Sequence, residues 1–248
     1  MMVEMTTLNR VAEHRWTGPF LLVVIGLGLT VWGWGKWLDV TIDFGRELYV
    51  PWQLLEGRTL YVDVAYLNGP LSPYLNALWF RLFGVSLRTL MLANLAILTG
   101  VTVLLYHLLR AITDRWAAWL GSVVFLTMFG FAHIGWCGNF NFLCPYSHEM
   151  THGLALSLLA LWMLKRYQDH PTPWKIAGIG VILGLVFLTK AELLLAIAPT
   201  LVIGLALTLW VHRVAWGQRL RLFGILIAAM FVVPLLAWGL LSWRMPME

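Results

Sequence analysis

Apolar residues run through this chain in seven long stretches, near 17–38, 87–109, 116–135, 149–168, 175–190, 192–211 and 222–243. Runs of about 20 residues predict bilayer-crossing helices, because a backbone in lipid must satisfy its own hydrogen bonds. The alternating ten-residue segments of a barrel do not occur. The longest polar passage follows the first stretch: DFGRELYVPWQLLEGRTLYVDVAYLNGPLSPY, residues 43–74. Within it, residues 47–56 predict a surface helix closed by Gly57. Residues 71–84 are apolar but too short to cross, and with Pro73 they predict a second helix lying at the interface or re-entering it. The pattern as a whole predicts an all-α, polytopic membrane protein of about seven transmembrane helices, with interfacial helices in the loop 43–84.

Composition agrees. Hydrophobic residues make up 60% of the chain and charged residues 12%, where a soluble domain carries about 25% charged. Mean hydropathy is +0.78. The fifteen Trp suit interfacial belts, with Trp32, Trp34, Trp37, Trp116, Trp136, Trp174, Trp238 and Trp243 near predicted span ends. The net charge of +5 does not point to nucleic acid, because the basic residues are scattered at span ends without a basic, aromatic-interleaved stripe. Their distribution reports topology instead. With the N-terminus in the cytoplasm, Arg10, Arg15, Arg110, Arg115, Lys165, Arg166, Lys175, Arg213, Arg219 and Arg221 face inward, ten of the seventeen. The first apolar run has no small-residue cleavage site, so it reads as an uncleaved anchor. No repeat or soluble domain is visible, and residues 1–248 read as one module.

Candidate chemistry gathers on the predicted outer face. The segment 43–74 holds four of the twelve acids: Asp43, Glu47, Glu56 and Asp63. A carboxylate just past a span end can act as a general base; Asp43 equally reads as the cap of a helix beginning at residue 44. Asp63 reads as a turn residue or a substrate contact. Arg46, Arg58 and Arg81 offer fork-like donors for a phosphate, or are interfacial side chains. Lys190 and Glu192 fall between two apolar stretches with almost no loop, where charge is costly unless it meets water, a partner or a ligand. Residues 148–152, HEMTH, form an H-E-x-x-H pattern, in which His148 and His152 share a helix face and could hold zinc while Glu149 activates water. No further ligand follows His152 at metzincin spacing. Cys137 and Cys144 could close a disulfide in the same outer loop or remain thiols.

The order of residues in 43–84 resembles the first outer loop of the C-type membrane glycosyltransferases, which include the dolichyl-phosphate-mannose protein mannosyltransferases and the bacterial lipid A aminoarabinose transferases. The resemblance rests on Asp43, Tyr49, Gly57 with Leu60-Tyr61 and Asp63, Gly69-Pro70, Tyr74 and Phe83-Gly84. GLVFLTKAELLLA, residues 184–196, is similar to a Leu-Thr-Lys-x-Glu element of some bacterial members. Many relatives carry Asp-Glu at the first site; here Phe44 follows Asp43, and Glu47 comes one turn later. The resemblance implies transfer of a sugar from a polyprenyl-phosphate donor to a glycan, lipid or protein acceptor at the outer face of a bacterial inner membrane. Asp43 would be the catalytic base. Arg46, Glu47, Arg58, Asp63, Tyr74, His148, Glu149, Lys190 and Glu192 would bind substrate, Lys190 at the lipid phosphate. A divalent metal is compatible but not demanded. Family members usually continue beyond seven spans, which implies a missing C-terminal part. The competing classes are a membrane zinc metalloprotease using HEMTH and a non-catalytic scaffold or transporter. The sugar-transfer reading requires Asp43, His148 and Lys190 to converge on one outer cavity.

Overall fold

The computed structural model describes residues 16–36, 44–134 and 141–244. It is all-helical, with no strand among the described residues. Nine helices are named here: α1 (Thr17–Gly33), α2 (Phe44–Leu55), α3 (Leu71–Phe83), α4 (Leu87–Ile112), α5 (Arg115–Phe125), α6 (His148–Asp169), α7 (Pro173–Phe187), α8 (Ala191–Val211) and α9 (Trp216–Arg244). A helix overlaps each of the seven predicted stretches, but α5 covers only the first half of 116–135, and residues 37–38 and 135 lie outside the described residues. Three of the helices, Leu87–Ile112, Ala191–Val211 and Trp216–Trp243, are long and apolar enough to cross a membrane by length and composition, and Thr17–Gly33 and Pro173–Phe187 are shorter apolar helices. α5 stops early because its hydrogen-bond register loosens into a π-helical turn, Leu126–Gly130. α6 is long enough at 22 residues, but its first turn is polar and its last turn is basic. Trp32, Trp34, Trp116, Trp174, Trp238 and Trp243 all expose their rings, as interfacial tryptophans do. Apolar helices and exposed aromatic rings make this a multi-pass membrane protein.

The chain divides into two compact units, one of residues 1–38 with 98–144 and one of 39–97 with 145–248. In the first, α1 packs on α5. Gly18 of α1 lies against Tyr106 and Trp119. Asp114 caps α5 by accepting the N–H groups of Trp116 (2.7 Å) and Ala117 (2.9 Å), which satisfies two of the donors a helix start leaves open. Past the π turn, Asn141 Oδ1 accepts the Leu143 and Cys144 N–H groups and folds that stretch into a tight turn. Cys137, and with it the expected disulfide to Cys144, lies outside the described residues.

The second unit is a bundle of α6, α7, α8 and α9 with α2 and α3 at one end. Its core is aliphatic: Ala160, Leu164, Ile176, Ile179, Leu183, Leu201, Leu205 and Leu226 are buried together. Gly180 and Gly184, one turn apart, face α9. A methyl on Gly180 would collide with the Leu226 carbonyl and stand 2.8 Å from Ala229 Cβ; one on Gly184 would stand 3.1 Å from Pro234 Cδ. Small residues here let two backbones touch, the usual way helices associate without a hydrophobic drive. The α6–α7 turn is held by buried Lys175, whose ammonium donates to the carbonyls of Arg166 (3.0 Å) and His170. These are carbonyls that a helix end leaves open.

Both helices predicted in the first loop are present. α2 ends where Gly57 takes a positive φ of 86°. Gly57 N–H then bonds Leu54 O and Arg58 N–H bonds Gln53 O, the paired closure that a left-handed residue permits. α2 and α3 pack together over a small core of Val50, Leu60 and Val64, joined by Leu54, Tyr66 and Tyr74. α3 also packs on α6, which brings the first loop against the HEMTH turn.

Candidate functional site

The densest polar cluster of the second unit forms where α2 and the loop after it meet the start of α6. α2 has an apolar face for the small core, so Glu47 is carried inward, and only 4% of its surface is exposed. Glu47 Oε2 accepts from His148 Nδ1 at 2.7 Å and lies 3.3 Å from the His148 backbone N–H. Its other oxygen accepts from Arg46 at 2.7 Å. Burial alone pushes the pKa of this carboxyl up; the His148 hydrogen bond and charge, together with Arg46, outweigh it and hold the group below its usual range. His148 Nε2 lies 3.1 Å from Asn94 Oδ1 on α4. One imidazole therefore ties three helices together.

Glu149 is fully buried and ringed by donors. Oε1 accepts from the Tyr66 hydroxyl and from Asn68 Nδ2 at 3.1 Å. Oε2 accepts from the Ser147 hydroxyl and lies 3.7 Å from Arg46 Nη2. A buried carboxylate is tolerated only when its lone pairs are met in this way. Arg46 spans both acids, packs over the Tyr66 ring with 5.8 Å to its centroid, and keeps 42% of its side chain exposed. Its remaining donors can therefore meet an anion that arrives from outside the protein.

The metal reading of HEMTH fares less well. The two imidazoles are 5.4 Å apart by ring centroid, but both His148 nitrogens are engaged, and His152 Nδ1 faces Ser72 Oγ at 3.0 Å. Among the described residues no group of three or more His, Cys, Asp or Glu is arranged to hold a metal ion. Both Glu149 oxygens are already met by protein donors, while His152 Nε2 is buried with no hydrogen-bond partner.

Arg46, Glu47, His148 and Glu149 thus meet. Asp43 lies outside the described residues. Lys190 stands at the head of α8 with its Nζ 3.9 Å from Glu192 Oε1, within electrostatic reach of Glu149. Glu192 itself is exposed. Asp63 accepts the Thr59 N–H at 2.7 Å and so closes its own turn. Arg58 is exposed just past the end of α2, and Tyr74 belongs to the small core. Sequence reasoning missed Tyr66, Asn68, Asn94 and Ser147. A signal existed for Asn94: an amide inside an apolar span marks a functional contact by default. Tyr66 and Asn68 lay unsingled in the aromatic tail of the polar loop.

The family model described as dolichyl-phosphate-mannose-protein mannosyltransferase matches residues 68–238. No curated protein and no solved structure matches the chain.

Proposed function

The chain belongs to the dolichyl-phosphate-mannose-protein mannosyltransferase family, and on that footing we propose that it moves a sugar from a polyprenyl-phosphate carrier to an acceptor on the outer face of an inner membrane. The family is one of membrane glycosyltransferases. The observation that carries the finer reading is the buried cluster of Arg46, Glu47, His148 and Glu149, with Lys190 within electrostatic reach, in a chain that is otherwise apolar. Two carboxylates this deep are costly to keep even when paired, and ionisable groups buried in a membrane protein mark functional sites by default.

In this reading the helices of residues 43–84 cap the site, and residues 1–248 act as one module. Asp43 takes the proton from the acceptor hydroxyl as its oxygen attacks the anomeric carbon. The bond from that carbon to the phosphate oxygen breaks, and the lipid phosphate departs with the electron pair. Arg46 and Lys190 stabilise its developing charge. Glu47 and His148 keep Arg46 turned toward the donor, and Glu149, held by Tyr66 and Asn68, shapes the acceptor side. Arg58, Asp63, Tyr74 and Glu192 line the approach.

The test is reconstitution into vesicles with a labelled polyprenyl-phosphate sugar and extracted envelope acceptors. Wild-type protein should release polyprenyl phosphate and label an acceptor, and Asp43→Asn should insert normally while transfer falls by about a hundredfold or more, the scale of a lost general base. Full transfer by Asp43→Asn would remove the catalytic assignment. No transfer by wild type with any such donor would favour a non-catalytic scaffold or transporter.

A further inference from the structure

The turn between α7 and α8, residues 188–190, is gripped from two sides within the second unit. At the end of α7 the Val186 carbonyl accepts from the Thr189 and Lys190 N–H groups and from the Thr189 hydroxyl. The two carbonyls just past the helix are met by the first loop: Gly69 N–H donates to the Thr189 carbonyl and Leu71 N–H to the Leu188 carbonyl, each at 3.0 Å. Pro70 stands between them and has no N–H to leave unpaired. The approach is so close that a methyl on Gly69 would overlap the Leu188 carbonyl and sit 2.9 Å from its Cα. Those are backbone atoms that cannot rotate aside. From the other side, a methyl on Gly153 of α6 would sit 2.7 Å from Thr189 Oγ1 and would also press on Leu193. Thr189 is fully buried.

The residues flanking this junction carry charge or polarity. Asn68, one before Gly69, bonds Glu149 at 3.1 Å. Lys190, one after Thr189, has its own backbone fixed: its N–H bonds Val186 O and its carbonyl accepts from Leu193 N–H, both at 3.1 Å. The register of Gly69 on Thr189 therefore sets where the lysine stem starts relative to Glu149 and Arg46. We infer that Gly69 is a positioning residue for recognition of the lipid phosphate, acting through the Thr189 backbone to hold Lys190 at the phosphate. The inference rests on the sugar-transfer reading above.

The experiment measures binding of undecaprenyl phosphate to the full chain in detergent micelles for wild type, Gly69→Ala, Lys190→Ala and the double variant, with a melting temperature for each. Lys190→Ala should weaken binding about tenfold or more, as expected for one lost charge-assisted contact. Gly69→Ala should weaken it by a similar factor, and the double variant should be no weaker than Lys190→Ala alone, since both remove one contact. If Gly69→Ala weakens binding by the same factor with and without Lys190, or leaves it unchanged, the positioning role is overturned. If Gly69→Ala does not fold, Gly153→Ala displaces the same turn against flexible side-chain ends. Combined with Lys190→Ala, it should then show the same non-additivity, and additive losses would overturn the role. No binding by wild type would instead overturn the donor reading itself, whereas binding that Lys190→Ala leaves intact overturns only this inference.

Discussion

Glu47 and Glu149 are both acids buried at the same spot, yet they are built differently. Glu47 is bound by charge, between His148 and Arg46; Glu149 is bound mainly by neutral donors from Tyr66, Asn68 and Ser147. The difference makes Glu47 the acid-labile member. Its folded-state value lies below the ordinary 4.5, so the stability it contributes is present above that pH and is lost as pH falls through the folded value. The melting temperature of the purified protein should fall as pH is lowered from about 4.5. Glu47→Gln should cost about 2 kcal/mol at neutral pH and show a flatter acid limb; an acid limb as steep as wild type would mean that another group carries it. Glu149→Gln keeps the shape but turns one acceptor oxygen into a donor facing donors. It should lower transfer and also cost about 1–3 kcal/mol, the penalty of an unmet buried donor, which parallel activity and melting measurements would check. What sequence could supply at this scale was the residue types: Glu47, His148 and Glu149 stood out as polar groups near apolar runs. Their pairing did not, because Glu47 Oε2 and His148 Nδ1 meet across 101 positions of chain.

Helices were the most readable level. The apolar runs, Gly57 as a stop and the short apolar segment after Pro70 each mark a helix or its end, because period and capping act locally. One local event escaped. The π turn at Leu126–Gly130 shortens α5 inside an unbroken apolar run, and nothing in LTMFG forces a change of register. The polar head of α6 lay at the start of the predicted stretch 149–168, but the partners that His148 and Glu149 find in the first loop did not show. Gly180 and Gly184 read as ordinary apolar filler, and only the α9 backbone explains them. Gly180→Val should therefore destabilise the bundle by about 1–3 kcal/mol, the usual cost of overpacking, seen as an earlier loss of helical signal on heating in detergent. A valine tolerated there without loss would show that α7 and α9 are not in backbone contact.

For the whole molecule, orientation follows from where lysine and arginine fall. The proposal that the N-terminus is cytoplasmic puts Arg58 outside and Arg213 inside. In a variant with Cys137 and Cys144 replaced by Ala, Arg58→Cys should react with a membrane-impermeant maleimide on intact cells, and Arg213→Cys only after permeabilisation; the reverse pattern would invert the protein and move the candidate site to the cytoplasmic face. Membrane character and family were legible in the sequence because composition and the Gly69-Pro70 and Leu188-Thr189-Lys190 motifs are short and local. Why those two motifs belong together was not, since their connection is a pair of backbone hydrogen bonds across more than a hundred residues. The central claim is that the cluster around Arg46 and Glu149 receives the phosphate head of a lipid-linked sugar. Photocrosslinking with a polyprenyl phosphate carrying a diazirine next to the phosphate, followed by peptide mapping, tests it most directly. Label in residues 44–72, 147–152 and 188–192 that excess unmodified polyprenyl phosphate removes is the expected result, and label confined to other segments, or unaffected by that competitor, would contradict the account.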